Sequence, residues 1–273
     1  MTGRQFPPPS IGIIGGMGPW VDPLLVRKIL EYQVTLGMRR DQDAIPLLLI
    51  QFAGLIEDRT EFLTGGSVEN PAVQVARIGR MLAANGARVL GIPCNTFHAA
   101  PIFTRFEQEL APIQVVHMIQ ATLRDLRPGL RRVGILSTNG AYLQRIYSGP
   151  VVARGLEAIT LPYQAPGGIS FSLSQNDVHQ AICHPEWGIK SGNESQAGYP
   201  KAKAVLKAAA RRLQELGAEV AILGCTEIPL ALQQSDVPDL PLDDPLDSLA
   251  RALVDAYRST PASLPAKELP SPR

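Results

Sequence analysis

Only three cysteines, Cys94, Cys183 and Cys225, are spread through the 273 residues, which is too few for a disulfide framework. The chain also lacks a CxxC pair or a His/Cys cluster at zinc-ligand spacing, so no metal site is expected. Four scattered histidines, His98, His117, His179 and His184, read as surface or core residues rather than ligands. No run of one charge occurs, and 26 Lys and Arg balance 25 Asp and Glu. That balance removes nucleic acid and membrane surfaces from the expected partners. The longest apolar stretch, Ile45 to Ile56, is interrupted by Gln51 and is too short to span a bilayer. Met1 to Ser10 has no apolar segment of the secretory type, so a cytoplasmic protein with free thiols is expected.

The chain does contain a self-similarity. Gly86-Ala87 and Gly217-Ala218 each open an apolar run that reaches a cysteine, Cys94 and Cys225, eight residues after the glycine. A second echo precedes them, Ile11-Gly12-Ile13-Ile14 against Val133-Gly134-Ile135-Leu136. The fixed order of the two motifs predicts two related halves.

Short aliphatic runs at 11–14, 46–51, 88–93, 114–117, 132–137, 156–161 and 219–224 suit buried strands. Helical spacing separates several of them. Val21, Leu24, Leu25 and Ile29 share a face, with Pro19 placed in the first turn. Val75, Ile78 and Leu82 lead to Gly86, and Val205, Ala209, Leu213 and Leu216 lead to Gly217, where a helix C-cap favours glycine. The alternation predicts an α/β fold of two pseudo-symmetric domains, each a mainly parallel sheet flanked by helices. The first domain is expected to span 10–123 plus 237–258 and the second 124–236, with the boundary in the basic stretch around Pro128-Gly129. Residues 1–9 and 260–273, rich in proline, are expected to be flexible.

Cys94 and Cys225 end apolar strands and precede helix starts on this reading, which puts both on the carboxyl edge where ligands bind in parallel sheets. Helix N-termini offer N–H groups and positive potential, suited to carboxylates and thiolates. A thiolate and a thiol on opposite faces of a carbon acid suit removal and return of an α-proton with inversion. A strand-end cysteine taken alone packs as a small hydrophobe, but matched placement in two halves favours function. Cys183 matches neither repeat and is read as structural or incidental. Gly15, Gly16 and Gly18 form no GxGxxG, and no P-loop lysine follows them.

Six segments occur here in a fixed order: Gly15-Gly16-Met17-Gly18-Pro19, Asp41-Gln42-Asp43, Asp58-Arg59-Thr60, Pro93-Cys94-Asn95-Thr96, Lys190-Ser191-Gly192-Asn193 and Gly224-Cys225-Thr226-Glu227-Ile228-Pro229. In them the chain resembles the aspartate/glutamate racemases, in particular the aspartate racemase branch, over residues 10–258. The resemblance implies a racemase that needs no pyridoxal phosphate or other cofactor, with its active site at the domain interface, an amino-acid substrate and a homodimeric assembly. It implies Cys94 and Cys225 as the two acid/base residues. Asn95, Thr96 and Thr226 would hold the α-carboxylate, while Arg59 and Lys190 match the family's basic pair near the side-chain carboxylate. Met17 and Gly18 would wall the first cysteine, and Thr138 of the second half would also bind the substrate. Glu227 either tunes the second thiol or is an ordinary helix-start glutamate.

The chain departs from the family pattern at Phe52 to Glu57, at Trp20-Val21-Asp22, at Ser137 to Ala141 and at Glu186-Trp187. These departures spare both cysteines and fall on the expected pocket walls, so the resemblance bears more firmly on the chemistry than on the substrate. Aspartate, glutamate or a related amino acid is expected. Two further readings stay open: a maleate-isomerase-like reaction with one cysteine as nucleophile, and a non-catalytic amino-acid-binding protein on the same fold.

Overall fold

A computed structural model describes residues 7–164, 173–192 and 199–260. The first half runs β1 (Ser10–Gly15), α1 (Asp22–Thr35), β2 (Leu47–Gln51), α2 (Arg59–Leu63), α3 (Ala72–Ala84), β3 (Ala87–Gly91), α4 (Ala100–Leu110), β4 (Gln114–Val115) and α5 (Met118–Asp125). The second continues with β5 (Arg132–Ser137), α6 (Asn139–Leu143), α7 (Ser148–Ala153), β6 (Glu157–Ile159), α8 (Gln175–Cys183), α9 (Tyr199–Glu215), β7 (Val220–Gly224), α10 (Ile228–Ala231), β8 (Leu242–Asp243) and α11 (Pro245–Ser259).

Both sheets have four strands, ordered β2-β1-β3-β4 and β6-β5-β7-β8, with every pairing parallel. The two orders are the same when counted from the start of each half. The sequence echo therefore reports a repeated topology, and the α/β class and paired parallel sheets expected from the sequence are present.

Strand β1 shows why the runs are continuously apolar. Ile11 and Ile13 face one side of the sheet with α1, α5 and α11, and Ile14 faces the other with α3 and α4. Helices on both faces leave no solvent side for a polar residue to occupy. The second sheet is covered likewise, by α8 and α9 on one face and by α6, α7 and part of α5 on the other. Helix α5 bridges the halves, since Met118 and Ala121 pack on the first core while Ile119 and Leu123 pack on the second. Gly86 and Gly217 end α3 and α9 at φ of 96° and 94°, the left-handed conformation expected at these stops.

Some boundaries differ from the sequence reading. Helix α1 starts at Asp22 with Pro23 in its first turn, so Pro19 belongs to the preceding turn. Strand β8 went unrecognised because two residues carry no periodicity. It pairs with β7, so the start of the 237–258 segment runs with the second sheet rather than the first. Helix α11 then crosses back and packs on α1, α5 and β3 in the first half. Most of the termini expected to be flexible, and Asn193 of the Lys190 motif, lie outside the described residues. Among those described, no helix is long and apolar enough to cross a membrane.

Candidate active site

In each sheet the strand order reverses beside the first strand of its half, and such a switch point leaves a crevice at the carboxyl ends. The turn after β1 carries Met17 and Gly18, and Cys94 lies three residues past the end of β3, where its N–H donates to the Ile92 carbonyl at 2.8 Å. In the second half Thr138 follows β5 and Cys225 follows β7 directly. The two crevices face one another and close a small cavity between them. Met17, Arg59, Cys94, Asn95, Thr96, Thr138, Lys190, Cys225, Thr226 and Glu227 all line it. Gly18 does not, but a Cβ on it would stand 2.1 Å from Glu227 Oε1, so its missing side chain lets that carboxylate lie against the turn. Cys183 ends α8 in the second core, where burial pushes its thiol up to about 11.

Both site cysteines are 5% exposed. Cys94 is held from behind by His98, whose Nδ1 lies 2.8 Å from the Cys94 carbonyl. The Met118 N–H at the start of α5 donates to His98 Nε2 at 3.2 Å, so Nδ1 carries the proton and donates to the carbonyl. Burial, then neighbouring His117, lowers the His98 pKa to about 3. His98 is thus a neutral core histidine that fixes the backbone of the first thiol.

Beside the Cys94 sulfur lies Arg59. Burial works against its charge, but Cys94, Asp58 and Glu227 around it raise its pKa above the ordinary value. At Cys225 the partner is an anion. Cys225 Sγ donates to Glu227 Oε2 at 3.0 Å, and the Thr226 hydroxyl lies 3.2 Å from the same oxygen and from the Pro93 carbonyl. Lys190 Nζ stands 3.5 Å from Glu227 Oε1. Burial opposes the Lys190 charge, yet Glu227 and Cys225 raise its pKa. Burial first, then the Glu227 charge, pushes the Cys225 thiol well above its ordinary range.

Side chains from opposite halves meet on the cavity floor. Thr96 and Thr138 hydroxyls are 2.9 Å apart, and the Tyr147 phenol donates to Asn95 Oδ1 at 2.5 Å. That bond turns Asn95 Nδ2 away from Tyr147. Among the described residues, Asn95 Nδ2, Arg59 Nε and Glu227 Oε1 are buried without a hydrogen-bond partner. Buried polar atoms cost free energy when unmatched, and two N–H donors beside a thiol suit a carboxylate ligand.

The sequence reading missed several contributors. Asp58 and Thr60 also line the cavity, although only Arg59 was singled out from their motif. Tyr147 gave no local signal. Asp22 enters the sequence reading only as part of a departure from the family pattern, but it is fully buried and accepts from the Gly16 N–H at 2.8 Å and from Gln51 Nε2 at 2.6 Å. It fixes the glycine turn against the site.

Two doubly wound parallel sheets flanked by helices, with a polar cavity between their switch points, define an α/β protein of two similar halves. A family model described as Asp/Glu/Hydantoin racemase matches residues 14–253, and the chain belongs to that family. The broad specificity amino-acid racemase RacX of Bacillus subtilis (strain 168) is 22% identical over 250 residues, covering 90% of this chain and 97% of the relative. The solved structure of Picrophilus torridus aspartate racemase superposes with a TM-score of 0.71 at 24% identity, covering 91% of this chain and 94% of the other. Glutamate racemase from Francisella tularensis, solved with D-glutamate, gives 0.60 at 17% identity, covering 92% and 81%. At these identities the solved structures report a shared fold.

Proposed function

We propose that this protein is an amino-acid racemase that works without pyridoxal phosphate, through two-base proton transfer between Cys94 and Cys225. One observation carries the reading: a thiol from each half lines the same buried cavity, one beside a guanidinium and the other bonded to a carboxylate. An α-proton of an amino acid is a weak acid, so its removal needs a well-placed base and stabilisation of the charge that develops on the carboxylate. Asn95 Nδ2 supplies a buried donor there, with the Thr96 and Thr226 hydroxyls nearby, while Arg59 and Lys190 are assigned to the side-chain carboxylate. One sulfur takes the proton while the other returns one to the opposite face. Aspartate, glutamate or a related amino acid is the proposed substrate, a homodimer the proposed assembly, and a reducing cytoplasm the proposed setting.

The test incubates the protein with acidic and neutral amino acids in deuterated water, without pyridoxal phosphate. Proton NMR follows loss of the α-hydrogen, and chiral chromatography follows inversion. Exchange accompanied by inversion is expected for at least one amino acid. Its absence across the panel overturns the racemase reading.

A further inference from the structure

The two cysteines occupy matched positions in matched halves, but their electrostatic partners are opposite. Arg59 lies beside Cys94. Cys225 instead donates to Glu227 Oε2 at 3.0 Å, and the other Glu227 oxygen lies 3.5 Å from Lys190 Nζ. Gly18 is open where a Cβ would collide with that second oxygen, so the first half makes room for the carboxylate. Glu227 is 2% exposed and cannot swing into bulk water without opening the cavity.

We infer that the single proton of the resting thiol pair resides on Cys225, held there by Glu227 as a positioning residue, with Cys94 the resting base. This inference rests on the two-base reading of the site. A carboxylate only accepts hydrogen bonds, so the contact needs a protonated sulfur. A thiolate at the same distance would set two anions together in a poorly hydrated site. The other charged and titratable groups facing Cys225 are Lys190 and Cys183, and Tyr147 also feels its charge. Of these only Lys190 favours the thiolate, and its ammonium is already paired with Glu227.

The proton count follows. Resting Cys94 thiolate takes the α-proton and becomes a thiol. The carbanion takes the Cys225 proton on its other face, leaving a Cys225 thiolate beside Glu227. Before the same direction of turnover repeats, Cys94 loses one proton to solvent and Cys225 gains one. The second enzyme form is the less stable, so binding and turnover differ between enantiomers in KM and kcat separately. Their kcat/KM ratio stays fixed by an equilibrium constant of one between mirror images.

Ultraviolet thiolate absorbance, titrated without substrate, tests the assignment separately from any racemase activity. Cys94→Ser with Cys183→Ser leaves Cys225 as the reporter, and Cys183→Ser with Cys225→Ser leaves Cys94. No thiolate signal is expected from the Cys225 protein at neutral pH. Adding Glu227→Gln to the Cys225 reporter moves its ionisation down by about one pH unit or more, and Lys190→Met moves it up. Circular dichroism checks each fold, and the comparison of the two reporters leaves Glu227 untouched. A Cys225 reporter that ionises at or below the Cys94 reporter overturns the assignment, as does a Glu227→Gln protein that folds and titrates unchanged. Absence of exchange in the deuterium experiment instead strikes the racemase reading and leaves the titration standing.

Discussion

Replacing Tyr147 by Phe removes one oxygen from the floor of the cleft and leaves the ring in place. The phenol is 1% exposed, donates to Asn95 Oδ1 at 2.5 Å and also meets the Thr122 hydroxyl. Without it, a buried amide oxygen has no donor, and leaving such a group unmatched costs about 1–3 kcal/mol. For a chain of this size each kcal/mol lowers the melting temperature by roughly 2–4 °C, so a fall of about 2–12 °C is expected. The amide also loses the bond that aims its Nδ2, so KM rises, by about tenfold for each 1.4 kcal/mol of lost substrate binding. Denaturant unfolding gives the stability change, and initial rates on the substrate found in the deuterium experiment give KM. A Tyr147→Phe protein whose unfolding free energy lies within about 0.5 kcal/mol of the parent and whose KM is unchanged would refute the reasoning.

Further outcomes are expected. Cys94→Ser and Cys225→Ser each lower the rate of inversion by at least about a hundredfold, the lower end of what an acid/base group contributes; chiral chromatography reads this, and full activity in either variant refutes the two-base mechanism. Gly18→Ala places a methyl group 2.1 Å from Glu227 Oε1, and displacement of that carboxylate lowers kcat by on the order of a hundredfold while circular dichroism stays native. His98 titrates at about 3 in the folded protein against an ordinary 6.5, so the unfolded chain takes up a proton between those values. The His98 contribution to stability is complete above about pH 6.5 and is lost as pH falls toward about 3; the dependence of unfolding free energy on pH across that range should be shallower in His98→Gln, and an unchanged slope contradicts the neutral, buried histidine.

The parts of the site that lie next to a strand end are legible in the sequence. Gly-Ala, an apolar run and a cysteine form a local pattern, and the repeat of that pattern placed Cys94 and Cys225 on corresponding edges. Tyr147 was not legible, because its partner Asn95 is 52 residues away and a lone tyrosine near a short helix carries no periodic signal. Asp22 was hidden differently: acids are common in first turns, and only the tertiary approach of Gly16 and Gln51 distinguishes a buried acceptor from a solvated one. The sequence leaves His98 as a surface or core histidine, and the choice between them depends on α5 bringing its Met118 N–H to the ring. Glu227 was left open between thiol partner and helix-start acid. The side-chain hydrogen bond from Cys225 supplies the contact that a dipeptide cannot reveal.

The return of α11 to the first half sets an order for synthesis. Val21, Leu25 and Ile29 of α1 share their core with Leu246, Leu249 and Leu253, and those residues are made after the whole second half. On the ribosome the second sheet therefore has all its strands before the first core is closed. A nascent chain halted just short of Pro245 would leave the α11 side of α1 uncovered for chaperones, although both cysteine-bearing strands had already been translated.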